Sequence, residues 1–502
     1  MSPLAALVLL PVLGGGLAWV LDHPRLGAAL RLRDGAWRMS MLTLVLETAL
    51  LALVTFRHPT PAGPWLAHFY RPWVPPLGIA VRLDMDGLSL ALIWLSLVLS
   101  LACVGVATRQ VTYHAGVFHC LLLATLGGII GTFLATDLFL FFFFWELMLV
   151  PMFVLIAVWG HENRQYAAMK FLVFTQGSGL IMLLSILGLV IAHYRVTGVL
   201  TFDYFTLAAT PLPPMSSMVL MTGFFIAFAV KLPAVPLHVW LPDAHTQAPT
   251  AASVLLAGIL LKTGGYGMIR FNVMLFPDAA ARLAPIAMGL GIAGILYGAW
   301  LSCNQRDLKR LIAYSSISHM GFVLLGIFSG SSMGVQGAVI QMLAHGLGTG
   351  ALFLIAGAIG ERMHTRDMQV IGGLWRVMPR LSGTGLFFAV ASLGMPGLGN
   401  FAGEFLVLLA IWPVSPLMGA LAAIGLVLAS VYSLRMVNSI FLAAPRPEPI
   451  AGADFGARQM VVFACIMAFL VVLGLYPQPF MTFSTPSPLP VAAGAATRSN
   501  AP

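Results

Sequence analysis

Charge is what this sequence has least of. Only 9% of its residues are Asp, Glu, Lys or Arg, against about 25% in soluble domains. A 502-residue chain this poor in charge cannot cover a water-exposed surface of its size. Cysteine is scarce as well. Cys103, Cys120, Cys303 and Cys465 are scattered, and no C-x-x-C occurs. Iron–sulfur, haem-c and zinc frameworks therefore find no support. The four read as small buried apolar side chains. No Walker motif, no dinucleotide fingerprint after a strand and no metal-ligand cluster is found. No cofactor is expected in this chain, and no energy source of its own. The formal charge of +9 does not imply nucleic acid, because the basic residues are spread over short loops and form no patch. The first apolar run, 4–20, has its arginines after it, the wrong order for a secretory signal, so it is expected to be a retained helix.

What is present is apolar. Hydrophobic residues make up 59% of the chain, with 51 Gly and 26 Met, and the mean hydropathy is +0.94. Lipid must be most of its solvent. A spanning helix needs about twenty apolar residues. Candidate spans, numbered 1 to 14, lie near 3–21, 39–56, 86–107, 115–135, 138–158, 168–193, 217–237, 249–269, 283–302, 311–328, 335–359, 382–410, 416–441 and 459–476. The expected class is an all-α membrane protein. The loops after odd-numbered spans hold most of the 26 Lys and Arg, including Lys309. Arg270 counts to the opposite side. The positive-inside rule puts the basic face in the cytoplasm, which places both termini outside. The stretch 57–85, rich in Pro and aromatic residues, is expected to cap the outer face, and the tail from Tyr476 to be loosely ordered.

Ionisable groups inside the membrane are costly and usually serve a path or a partner. Six fall deep in spans: Glu146, Lys231, Lys262, His319, His345 and Glu404. Glu146 lies roughly 14 Å from either flank at 1.5 Å per residue. Glu47 stands alone in span 2, with a structural role as plausible as a functional one. Arg435 is positioned to snorkel. His238, Asp243 and His245 follow span 7, in either an uptake funnel or a solvated loop. Spans 7 and 12 each carry a Pro/Gly break beside a charge, at Leu232-Pro233 and at Met395-Pro396-Gly397. Such discontinuous helices form the ion sites of transporters.

One offset of 173 residues relates Glu146 to His319, Lys231 to Glu404 and Lys262 to Arg435. The shift is five spans, an odd number, so the repeat is inverted. The expected organisation is 1–114 (spans 1–3), 115–270 (spans 4–8), 283–441 (spans 9–13) and 442–502 (span 14 and tail). Proton transfer needs groups within hydrogen-bond or one-water reach. Lys231 and Glu146 are a candidate switch pair. The route these residues suggest takes in Glu146/Lys231, Lys262, His319 and His345, and Glu404, bridged by water, with the order along it left open by the sequence.

The run Phe141 to Met152, with Trp145, Glu146 and Pro151, resembles the fifth helix of the subunit M family of respiratory complex I. So do Trp159-Gly160-His161 and the stretch Ala167 to Phe171. The segment Lys231 to His245, the continuation through Lys262 to Gly267, Asp307 to His319, His345-Gly346 and Asn400 to Phe405 resemble the same family. The resemblance covers spans 3 to 13. It implies an antiporter-like membrane subunit of a bacterial NADH–quinone oxidoreductase, in the inner membrane, with no redox centre of its own. It implies proton transfer from cytoplasm to periplasm, driven by quinone reduction elsewhere. Glu146, Lys231, Lys262 and Glu404 are the pumping residues it implies, with His319 and His345 between half-channels. Its implied partners are lipids and other membrane subunits, including the sister L and N types, and no nucleic acid. Glutamate at 404, where the L and N types and the sodium/proton antiporter relatives usually carry lysine, points to M. No long lateral helix of the L type is expected after span 14.

Overall fold

The structure is a computed structural model that describes residues 2–23, 34–57, 65–106, 111, 113–444 and 453–483. Arg25, Arg31, Arg33, Arg109 and Arg446 of the topology argument lie outside these residues, as does the tail beyond 483. Among the described residues, thirteen helices are long and apolar enough to cross a membrane. They are α1 (Pro3–Leu21), α2 (Gly35–Arg57), α3 (Gly87–Val106), α4 (Ala115–Leu134), α5 (Leu138–Trp159), α6 (Arg164–Thr197), α7a (Pro214–Lys231), α8 (Thr250–Val273), α9 (Pro277–Cys303), α10 (Leu308–Ile327), α11 (Ser332–Met363), α13 (Pro416–Leu442) and α14 (Ala457–Leu475). The twelfth crossing is split into α12a (Pro379–Ser392) and α12b (Gly399–Ile411). Counting it gives the fourteen expected. Helices α6 and α11 run several residues beyond the expected spans at both ends.

Both expected breaks are there, and their causes differ. After Lys231 the chain leaves the helix through Pro233 and Pro236, which lack the backbone N–H a helix needs, and resumes as α7b (Leu241–Gln247). The Val230 carbonyl, near the break, accepts a bond from Trp240 Nε1 at 2.9 Å. Protein thus satisfies backbone that lipid could not. In the twelfth crossing Gly394 and Gly397 take φ of 82° and 91°, a region closed to most side chains. Helices α8 and α13 carry π-helical turns, at Leu256–Leu260 and Met268–Val273 in α8 and at Asn438–Leu442 in α13. The fourth and fifth crossings of each five-helix run therefore share the same irregularities.

Packing uses small residues. A Cβ on Gly298 would lie 2.7 Å from Ser318 N, so α9 and α10 touch backbone to backbone there. Between bilayer helices such close contact replaces the hydrophobic drive that water would supply.

The loops sort onto two faces. On one, His161 N bonds Gln247 O, Met368 N bonds Arg306 O, Arg362 Nε bonds Ala453 O, and Arg458 bonds Gly105 O. These segments follow α5, α7b, α9, α11, α13 and α3, as the charge count requires of a basic face. The other face carries the one departure from helix among the described residues that forms a sheet. It is an antiparallel hairpin of β1 (Ala67–Val74) and β2 (Ile79–Met85), paired from Ala67↔Met85 to Val74↔Ile79. Gly78 turns it at φ 67°, and a Cβ there would collide with the Leu200 carbonyl. Asp137 caps α5 through Phe139 N and Leu140 N and accepts Ala80 N from the hairpin, each at 3.0 Å. Residues 65–85 of the aromatic stretch thus form an ordered cap on this face.

Candidate functional site

Lys231 is the last residue of α7a and is 1% exposed. Its ammonium makes no hydrogen bond to the described residues and lies 4.9 Å over the Trp145 ring of α5. Glu146, the next residue, is half-buried against Gly179 of α6. Lys231 and Glu146 feel each other's charge but make no contact ion pair, and the buried Glu146 Oε1 has no hydrogen-bond partner. The expected pair is therefore neighbouring and open, with indole where a direct bond would be.

Lys262 sits on α8 between its two π turns and is fully buried. A π turn offsets the backbone ladder and leaves a carbonyl available inside the helix. Lys262 Nζ takes one, Ala257 O, and also reaches His345 Nδ1 of α11 at 2.7 Å. With the lysine donating, His345 carries any ring proton on Nε2, an atom that is buried and unpartnered. The His345 and His319 rings stand 5.5 Å apart between centroids, at 60°. His319 of α10 bonds Glu404 Oε1 of α12b through Nδ1 at 2.7 Å. Its Nε2 meets Tyr432 OH at 3.1 Å and Ser392 Oγ at 3.3 Å. Gln341 Nε2 donates to the same Glu404 oxygen at 2.8 Å. Glu404 Oε2 is buried and unpartnered; it points to the break, where a Cβ on Gly394 would lie 3.2 Å from it.

Four of the six expected residues thus form two hydrogen-bonded pairs, Lys262–His345 and His319–Glu404, facing each other through the two imidazoles. The sequence left the order of the two histidines open; in the structure His345 meets Lys262, and His319 meets Glu404. Sequence reasoning placed neither pair, because the partners lie 83 and 85 residues apart.

Other expectations change. Arg435 is exposed on α13 and joins none of these groups; Tyr432, one turn earlier, supplies the contact to His319. The offset therefore fails as a residue-to-residue map at its third pair. Glu47 is fully buried and neither of its oxygens has a partner, away from this line, on a helix packed against α1, α3 and α4. His238, Asp243 and His245 are not a solvated loop. Asp243 pairs with Lys170 at 2.6 Å and Arg310 at 3.8 Å. His238 is 4% exposed. His245 is fully buried, stacked on Phe353, with both ring nitrogens unpartnered.

Two basic residues assigned to loops prove buried. Lys309, 1% exposed, bonds Ala248 O at 2.8 Å and Ser253 Oγ at 3.4 Å. It lines a cavity of about 750 Å³ on the basic face, with His161, Glu162, Asp307, Glu361 and Arg366 around it. Partial burial, then the charges of Lys309 and Arg366, lower His161 to about 4, so it is an uncharged imidazole near neutral pH. Arg270, 1% exposed, pairs with Asp86 at the opposite end of α8. Hydropathy could not find either, since both stand at the ends of apolar spans where a loop residue looks the same.

The profile of the NADH:quinone oxidoreductase/Mrp antiporter transmembrane family matches residues 135–430. NADH-quinone oxidoreductase subunit M of Pseudomonas aeruginosa is 52% identical over 496 residues, covering 96% of both chains. A chain of respiratory complex I from Thermus thermophilus with bound NADH superposes with a TM-score of 0.86, at 31% identity over 96% of this chain and 97% of that one. A chain of the Mrp complex from Dietzia sp. shares the fold, with a TM-score of 0.82 at 21% identity over 97% of each.

Proposed function

This chain belongs to the subunit M group of the NADH:quinone oxidoreductase/Mrp antiporter membrane family, and we propose that it translocates protons from cytoplasm to periplasm as a subunit of NADH–quinone oxidoreductase. It is a multi-pass membrane protein whose relatives work inside multi-subunit complexes. The sister L and N types are its proposed neighbours, and quinone reduction in other subunits is the proposed drive. The reading places the chain in the bacterial inner membrane with both termini periplasmic, on the strength of the basic face alone.

One observation carries the reading. Lys262, His345, His319 and Glu404 form a titratable line through the bundle, two hydrogen-bonded pairs whose imidazole rings stand 5.5 Å apart between centroids. The hydrogen bonds permit a stepwise hand-over along it. When Lys262 gives its proton to His345, the ring can release one from Nε2 toward His319, whose own Nδ1 faces a carboxylate. Glu146 and Lys231 extend the line. Charge on Glu146 favours the protonated lysine, and a neutral or displaced Glu146 favours release. Lys309 and the basic-face cavity are the proposed uptake side, leading to His245 beneath Ser253.

The test is Lys231→Ala and Glu146→Ala in the assembled complex, with protons pumped per NADH oxidised as the readout. Loss of pumping in complexes that still assemble supports the reading. Unchanged pumping and unchanged turnover in both variants would leave the chain a scaffold.

A further inference from the structure

The titratable line needs a wall on its outer side. Helix α8 continues past Lys262 toward the hairpin face through Tyr266, one turn on, and Arg270, about 12 Å on at 1.5 Å per residue. That is one route, along the helix itself, by which a proton on Lys262 would leave outward, or one from outside would leak back.

The route ends on a fixed charge. Arg270 Nη2 pairs with Asp86 Oδ2, and the two side chains are 1% and 0% exposed. Asp86 stands just ahead of α3, where its other oxygen accepts Ser89 N at 2.9 Å. The guanidinium lies 4.9 Å from the Trp65 ring and 5.6 Å from the Tyr266 ring. Tyr266 OH bonds Phe133 O at 3.1 Å, and Tyr204 OH bonds Arg270 O at 2.9 Å. Both phenols therefore give their protons to backbone carbonyls. On the hairpin face a cavity of about 530 Å³ is lined by polar residues, among them His68, Arg82, Asp84 and Asp203, and Asp84 is two residues from Asp86 in the chain.

We infer that the Arg270–Asp86 pair is the outer seal of the first five-helix unit, which stops proton exchange between Lys262 and the hairpin-side water and obliges the proton to pass sideways to His345. The inference rests on the proton-translocating reading above. A guanidinium does not give up its proton in proteins, so it cannot relay one. A fixed positive charge in a narrow passage repels hydrated protons, as in water-selective channels. Asp86 neutralises the charge so that it can be buried, and the guanidinium keeps Asp86 ionised rather than a proton site. Stability alone is a weak reason for such a pair, since apolar replacements of buried ion pairs are often neutral or stabilising. Arg270 and Asp86 are positioning and barrier residues here; neither touches the Lys262–His345 bond.

The test uses the assembled complex in liposomes, resting, without NADH. A pH gradient is imposed and its decay followed with a trapped pH dye. Arg270→Gln is expected to raise passive proton permeability about fivefold or more and to lower protons pumped per NADH, with NADH oxidation retained. Arg270→Lys is expected to leak less than Arg270→Gln. If Arg270→Gln does not assemble, the Asp86→Asn/Arg270→Gln double variant, which leaves no lone buried charge, is expected to leak likewise. Wild-type permeability in an assembled variant without the guanidinium overturns the seal. That result leaves pumping through Lys262 intact, whereas wild-type pumping in Lys231→Ala and Glu146→Ala overturns the wider reading whatever the leak.

Discussion

Lys262 Nζ and His345 Nδ1 lie 2.7 Å apart, although 83 residues separate them in the chain. The contact joins the fifth helix of one unit to the third helix of the next. His345 has its second ring nitrogen unpartnered, and its ring stands 5.5 Å from that of His319 between centroids, so it is the link between the two pairs. Replacing it with Gln keeps a polar side chain but removes the two-nitrogen relay. His345→Gln is expected to lower NADH-driven proton pumping at least about tenfold, in line with the loss of one positioned acid–base group. Pumping rate in vesicles of the assembled complex checks this.

Glu404 shares one oxygen between His319 and the Gln341 amide. A carboxylate accepts both bonds. A lysine would set an ammonium donor against the Gln341 amide donor. Glu404→Lys is therefore expected to cost about 1–3 kcal/mol in an unpaired buried donor, seen as a lower yield of assembled complex. Glu404→Gln is expected to assemble normally and pump poorly. Native gel yield beside pumping rate separates the two.

Gly179 tests the looser end. A Cβ there would collide with Glu146 Oε1. Alanine is the better helix former by about 1 kcal/mol, so Gly179→Ala has no intrinsic reason to weaken α6. It is expected to push Glu146 away from Lys231 and to slow pumping several-fold in fully assembled complex. Unaltered kinetics would mean that the place of Glu146 relative to Lys231 is immaterial.

His161 supplies a pH test with a defined sign. Its folded value of about 4, lowered first by partial burial and then by Lys309 and Arg366, lies below the ordinary 6.5. Any stability linked to it is intact above pH 6.5 and is lost as pH falls from there toward 4, after which it levels off. Between pH 6 and 8 the ring stays neutral. His161→Gln is expected to leave the pH profile of NADH oxidation unchanged in that window and to reduce acid sensitivity below it. A profile shifted near pH 7 contradicts the assignment.

The sequence carried the architecture because lipid leaves a long apolar run one option, the helix. The breaks at Pro233 and Gly397 were legible for the same reason, since a proline or an unusual glycine inside such a run has to be satisfied by protein. What stayed hidden depends on the third dimension. Lys309 and Arg270 sit at the ends of spans, where one turn of helix separates a loop from the interior. Asp86 reads only as the first residue of the third expected span until packing sets Arg270 against it. Tyr432 and Gln341 are ordinary polar residues whose contacts to His319 and Glu404 exist only once α10, α11, α12b and α13 pack together. The 173-residue offset links crossings that share helix breaks and π turns, but at its third pair Arg435 is exposed and away from the line. A repeat conserves backbone path more strictly than the rotation of each face.

The most direct measurement is the number of protons pumped per NADH, together with turnover, in Lys262→Ala complex reconstituted in liposomes. The structure accounts for a fall in both, because the variant removes the group that bridges α8 and α11 while leaving Ala257 O and His345 Nδ1 without their shared donor. An assembled Lys262→Ala complex that pumps and turns over at wild-type levels would contradict the account.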